Sequence, residues 1–222
     1  ANAARAIIEA LDALPDHPCT VELIDVWKYA KFPLNKLPRM ISWFRERQPI
    51  SRWNFQNSQK KSRLDRFNFL AKPYLRRRIQ SILKKKEFDL IVSVHPVTTA
   101  PILEVIPEGC LIPFWTIVTD IATKNVFWFD VRAEQTIVPS AQAMSSAAQF
   151  GIPYEKVALM GIPVPHAYHQ NPYTREEVCR EYGLNPSNPI VLVAGGKAGV
   201  GPLAEVAQRI DERFGAINLL LL

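Results

Sequence analysis

The chain has 222 residues, 48% of them hydrophobic, with 27 Lys or Arg against 21 Asp or Glu for a formal net charge of +6. That length suits one large domain, or one domain with part of another, and the apolar share suits a globular core. No apolar run approaches the roughly 18 residues that a membrane-spanning helix needs, so no bilayer-crossing helix is expected.

Residues 1–14, ANAARAIIEALDAL, place Ala3, Ala6, Ile7, Ala10 and Leu11 at helical spacing. They read as an amphipathic helix without a signal-peptide cleavage site. The following CTVELIDVW reads as a short strand. Together they look like the later pieces of a βαβ unit whose first strand is missing. Cys19, Cys110 and Cys179 lie far apart without a CxxC pair, so reduced thiols in a cytosolic protein are expected.

The charge is concentrated in one segment. Residues 27–86 hold 18 Lys or Arg against Glu46 and Asp65, a net +16, leaving 9 bases and 19 acids elsewhere. Such a segment expects an anionic partner. Leu37, Met40, Ile41 and Phe44 form an apolar stripe flanked by Lys36, Arg39, Arg45 and Arg47, the pattern of a basic amphipathic helix. A second helical pattern covers residues 64–86, with Pro73 bending or dividing it and Ile79, Ile82 and Leu83 on its buried face.

From there the rhythm is α/β. Buried strands are expected at FDLIVSVHP ending in His95, PFWTIVTD ending in Asp120, QTIVPS and KVALMGIPV. Ser140 should cap the helix AQAMSSAAQF and Gly151 should end it. A linker rich in Pro, His, Asn and Tyr spans about residues 163–173. Thr174 and Glu177 have capping-box spacing and open another helix.

PIVLVAGGKAGVGPLAEVAQRI then reads as strand, glycine turn and helix. Glycines let backbone approach a phosphate, and a helix N-terminus supplies N–H groups. The turn fits neither a Walker A loop nor GxGxxG, and a plain tight βα turn has the same composition. Its context favours phosphate, because a complete α/β domain precedes the linker and this turn opens a second one. Two Rossmann-like halves around a cleft are the plan of many nucleotide-sugar transferases.

Several stretches resemble one family in its own order. NAARAIIEAL is similar to the helix after the GGGH loop of monogalactosyldiacylglycerol synthases and processive diacylglycerol glucosyltransferases. IVSVHP, VTDIATKNVFWF, VPSAQAMSSAAQFGIPYEKVALMGIPV and VLVAGGKAGVGPL resemble later segments of the same family. The resemblance implies a GT-B glycosyltransferase. Residues 1–165 would be a Rossmann-like N-terminal domain, lacking its first strand and glycine loop, that binds acceptor and membrane. Residues 166–222 would be the linker and the start of a C-terminal UDP-sugar domain. The implied reaction moves a hexosyl unit from UDP-hexose to diacylglycerol, with no cofactor beyond that substrate and no bound metal. The chain by itself is expected to be inactive. A lipid-linked muramoyl-peptide acceptor is the alternative, and a nucleic-acid-binding protein a distant one.

Candidate roles follow. His95, at a strand end, either orients or deprotonates a hydroxyl or caps the turn before Pro96. Asp120 either serves the acceptor hydroxyl or caps the next turn. The resemblance adds Pro96, Thr119 and Asn125 as acceptor-binding. Family members usually carry His where this chain has Asn125, which cannot titrate. Gly195, Gly196, Gly199 and Gly201 would hold the donor phosphates, while Lys197 reads as a solvated loop lysine and Trp128 as core. Trp43 and Phe44 with Arg39, Arg45, Arg47 and Arg52 would contact anionic membrane lipid. The expected protein is cytoplasmic and peripheral on the membrane, and does not bind nucleic acid.

Overall fold

The computed structural model describes residues 2–16, 19–26, 72–73, 75–76, 79–84, 87–106, 109, 111–168, 173–195 and 202–222. The chain divides into two compact units, Ala1–His166 and Ala167–Leu222.

In the first unit, α1 (Asn2–Asp12) buries Ala4 and Ala6, while Ile7 and Leu11 are half-buried. Residues 19–25 differ from expectation: they form no strand. The alternation of VELID suits a strand, but a strand exists only through a hydrogen-bonded neighbour, and none is present among the described residues. Val21 and Leu23 are accordingly 40% and 53% exposed.

Four short strands follow: β1 (Ile91–Ser93), β2 (Phe114–Ile117), β3 (Gln135–Val138) and β4 (Val157–Leu159). They form one wholly parallel sheet in the order β1-β2-β3-β4. The central strands β2 and β3 are mostly buried, whereas Val92 of β1 and Leu159 of β4, the two outer strands, are 40% and 52% exposed. Helix α2 (Pro96–Leu103) leaves β1, and α3 (Ala141–Gln149) leaves β3. Ser140 caps α3 by accepting the Ala143 N–H at 3.1 Å, and Gly151 follows its last turn at φ 84°.

The core lies between this sheet and α3. Ala143 and Ala147, one turn apart, let the helix approach Val118, just past β2, and Val138, the last residue of β3, with Trp128, Phe129 and Ile152 closing the cluster. Phe129 stacks on Phe150 with ring centroids 5.3 Å apart. A second cluster joins Leu75, Ile79 and Val105, with Leu83 and Ile102 against it. Ile79 and Leu83 thus face inward as their spacing predicts.

One row across the sheet is polar. Register pairs Ser93 with Thr116 and Thr116 with Thr136, so the three hydroxyl side chains share a face. The Ser93 hydroxyl bonds those of Thr98 and Thr99 on α2 at 3.1 and 3.0 Å. Those of Thr116 and Thr136 are fully buried, without a hydrogen-bond partner among the described residues. An unsatisfied buried hydroxyl costs about 1–3 kcal/mol. Thr116→Val and Thr136→Val are therefore each expected to raise the thermal midpoint, and a fall for both would show that the hydroxyls are satisfied.

In the second unit, α4 (Arg175–Tyr182) opens on the expected capping box and closes at Gly183, φ 66°. Strands β5 (Ile190–Val193) and β6 (Asn218–Leu221) pair in parallel across helix α5 (Leu203–Phe214). Buried Asn218 holds the approach to β5, donating to the Asn185 and Asn188 carbonyls and accepting the Asn185 N–H. The Thr174 backbone N–H, then its hydroxyl, hold the Glu177 carboxylate below its ordinary value of 4.5. A folded pKa below the unfolded one stabilises at pH above the unfolded value and is lost as pH falls through the folded one. The start of α4 is thus expected to loosen in acid below that range. NMR shifts of its first-turn amides should record this, and Glu177→Gln should remove the transition.

Candidate active site

The candidate residues gather at the carboxyl ends of adjacent strands, where open α/β sheets bind ligands. His95 lies two residues beyond Ser93 of β1, and Pro96 begins α2. Thr119 and Asp120 lie just beyond Ile117 of β2, and Ser140 just beyond Val138 of β3. These strands are parallel neighbours, so His95 and Asp120 emerge at the same end of the sheet.

His95 is the N-cap of α2: its Nδ1 accepts the Val97 N–H at 3.3 Å. Its carbonyl accepts the Thr98 hydroxyl at 2.9 Å, fastening the turn to the buried Ser93 cluster. The imidazole stands exposed at the strand end. The capping role foreseen for this histidine is real, and it fixes the ring's orientation rather than removing it from the site.

Asp120 is also exposed, but among the described residues it caps no backbone N–H of the next turn. Its Oδ2 accepts the indole N–H of Trp128 at 2.7 Å. Between them the chain folds back in small steps. Thr123 Oγ1 accepts the Asn125 N–H, and Asn125 Oδ1 accepts the Phe127 N–H to start the 3₁₀ turn Val126–Trp128. Trp128 is 1% exposed, so its core assignment holds, and the sequence gives no direct sign of its polar link. The signal available was a Trp eight residues after an Asp, with turn-forming Thr and Asn between. Helix α2 packs on this 3₁₀ turn through Ala100 and Val126. The helix that carries His95 and the loop that carries Asp120 therefore brace one another.

Ser140 contributes a tie that sequence reasoning missed. Besides capping α3, its hydroxyl donates to the carbonyl of Ile121, the residue after Asp120. The amino end of the sheet carries a separate clasp. Arg132 bonds both Asp130 oxygens and reaches Glu104 at 3.0 Å, and Glu104 also takes Lys72. Its role is structural.

Of the donor-phosphate candidates, Gly195 follows β5 and donates its N–H to the Leu222 carbonyl. Gly196, Gly199 and Gly201, with Lys197, lie outside the described residues, as do Trp43, Phe44, Arg39, Arg45, Arg47 and Arg52. Among the described residues no helix is long and apolar enough to cross a membrane.

The sequence model of the monogalactosyldiacylglycerol (MGDG) synthase family matches residues 1–164. The chain belongs to the MGDG synthase family. Its parallel α/β sheet agrees with the Rossmann-like half of that family's GT-B fold. It is 27% identical over 206 residues to a probable chloroplastic MGDG synthase of Glycine max, covering 88% of this chain and 39% of the relative. It is 26% identical over 204 residues to the chloroplastic MGDG synthase of Spinacia oleracea, covering 90% and 39%. With MGDG synthase 1 of Arabidopsis thaliana it shares 27% over 204 residues, covering 90% and 38%. The chain thus spans about two fifths of the length of the curated relatives it matches. The match to the MGDG synthase family coincides with the unit that carries His95 and Asp120. The Asn125 Oδ1 is already engaged on the Phe127 N–H.

Proposed function

We propose that the protein is a UDP-sugar-dependent hexosyltransferase that glycosylates diacylglycerol at a membrane surface. The observation that carries this reading is the MGDG synthase match across residues 1–164, the span that also holds His95 and Asp120 at one end of a parallel sheet. In this reading residues 1–165 bind the acceptor and the membrane, and residues 166–222 begin the donor domain.

The chemistry needs a base near the acceptor hydroxyl and positive potential near the leaving diphosphate. As the hydroxyl oxygen attacks the anomeric carbon, its proton passes to His95 or to the Asp120 carboxylate, and the bond to the UDP oxygen breaks. Pro96, Thr119 and Asn125 line the acceptor side. The glycine-rich segment from Gly195 through Gly201 ahead of α5 is suited to the diphosphate, because glycine admits close backbone approach and a helix start supplies N–H donors. No cofactor or metal enters this scheme. The enzyme acts from the cytoplasmic side as a peripheral protein, with Trp43, Phe44 and the arginines around them on anionic lipid.

The test is direct. The whole protein, supplied with vesicle-borne diacylglycerol, is expected to form a monohexosyl product with a UDP-hexose, and a UDP-galactose and UDP-glucose pair reveals the sugar. Residues 1–222 alone are expected to be inactive. Lack of product with both donors, beside transfer to a lipid-linked muramoyl-peptide, would replace this acceptor assignment.

A further inference from the structure

We infer that Trp128 is a positioning residue for the Asp120 carboxylate. This inference rests on the reading of Asp120 as a group that serves the acceptor hydroxyl.

The two ends of the pair differ in surroundings. The Trp128 ring is 1% exposed and wedged among Val118, Val138, Ala143 and Ile152, so it has one orientation. Asp120 is exposed at the carboxyl end of β2. The 2.7 Å bond from the indole N–H therefore runs outward from the core to a carboxylate at the sheet end. A buried indole N–H needs some acceptor, and a backbone carbonyl would serve. Here the acceptor is instead a candidate catalytic carboxylate, held by a charge-assisted bond, the stronger kind. The bond occupies Oδ2. Among the described residues Oδ1 has no hydrogen-bond partner, so the oxygen left for a substrate hydroxyl is set by the indole.

The backbone reinforces this. The Thr123, Asn125 and Phe127 bonds close the loop from Asp120 to Trp128, and the Ser140 hydroxyl holds the Ile121 carbonyl. Carboxylate and indole are thus fixed at both ends of a short braced loop. Without the indole bond, an exposed Asp side chain rotates freely about its Cβ, and both oxygens exchange places in water. A misplaced base lowers the rate of the bound complex more than it lowers acceptor binding.

The experiment is a double-mutant cycle in the whole protein, with kcat and the KM for diacylglycerol measured for wild type, Asp120→Ala, Trp128→Phe and the double variant. Trp128→Phe keeps an aromatic ring and removes the donor. It is expected to lower kcat about tenfold with a much smaller change in KM, and to have no further effect once Asp120 is Ala. Incorporation of β-(3-benzothienyl)alanine at position 128 keeps the bicyclic shape and lacks the N–H. It should reproduce the kcat loss without the packing loss, and it serves where Trp128→Phe folds poorly. An NMR readout is independent of turnover: the Trp128 indole N–H resonance should move upfield in Asp120→Ala. Equal losses from Trp128→Phe with and without Asp120, or an unmoved indole resonance, would overturn the positioning role while leaving Asp120 as the base. Full activity in Asp120→Ala would instead overturn the reading beneath it, and the positioning role with it.

Discussion

Replacement of Asp120 by Ala in the whole protein is expected to lower kcat by about 100- to 10,000-fold, the range lost with a general acid or base, while binding to vesicles stays unchanged. His95 has a second role, because its Nδ1 also caps α2. His95→Ala removes a cap and a titratable ring together, so a rate loss with it is ambiguous. His95→Asn keeps a good capping side chain and cannot accept a proton at neutral pH. A comparable kcat loss in His95→Asn, with an unchanged thermal midpoint, isolates the chemical role. Unchanged kcat in both Asp120→Ala and His95→Asn would return the two residues to holding turns together.

The second large effect is expected from the basic segment. The whole protein should float with vesicles containing anionic lipid, far less with neutral ones, and progressively less as salt rises. Each base near an anionic surface contributes about 1 kcal/mol, screened within a Debye length of about 8 Å at physiological salt. Residues 27–86 carry a net +16, so salt dependence should be steep. A shallow helix also needs apolar burial, and Trp at the headgroup level supplies it. Trp43→Ala should therefore weaken flotation without altering any retention on polynucleotide. Tight polynucleotide binding without vesicle association would turn the reading toward a nucleic-acid partner.

Most of the sheet was legible in the sequence because its strands are short runs of β-branched and aromatic residues, as at IVS, FWTI and QTIV, each followed by turn-forming residues. The expected runs are longer than the strands: His95 and Asp120 sit beyond their ends, in the turns that close each crossover. Local signals transferred best. Ser140 with Gly151 brackets α3, and Thr174 with Glu177 forms the capping box of α4, since each depends on residues a turn or two apart. Residues 19–25 failed as a strand because alternation describes one chain while a ladder needs two. The Trp128–Asp120 bond was illegible for a related reason: Trp128 reads as an apolar core residue, and only the fold of residues 120–128 brings its one polar atom to a carboxylate. The His95 cap was foreseen, whereas the tie from Ser140 to Ile121 depends on two strand ends being neighbours.

The wholly parallel sheet has a consequence for how the molecule comes into being. Each register pair joins residues far apart in the chain: Ile91 meets Phe114, Trp115 meets Gln135 and Thr136 meets Val157. Among the described residues no hairpin is available as a nucleus, so each pairing must first close a crossover against chain entropy. Refolding of the first unit should therefore be slow, in the millisecond-to-second range or beyond, and partly folded chains should expose unpaired strand edges. His95, Asp120 and Ser140 each stand just past one strand of that sheet. Only a chain that has closed its crossovers can hold all three in place, so activity should recover with the final folding phase and not before it.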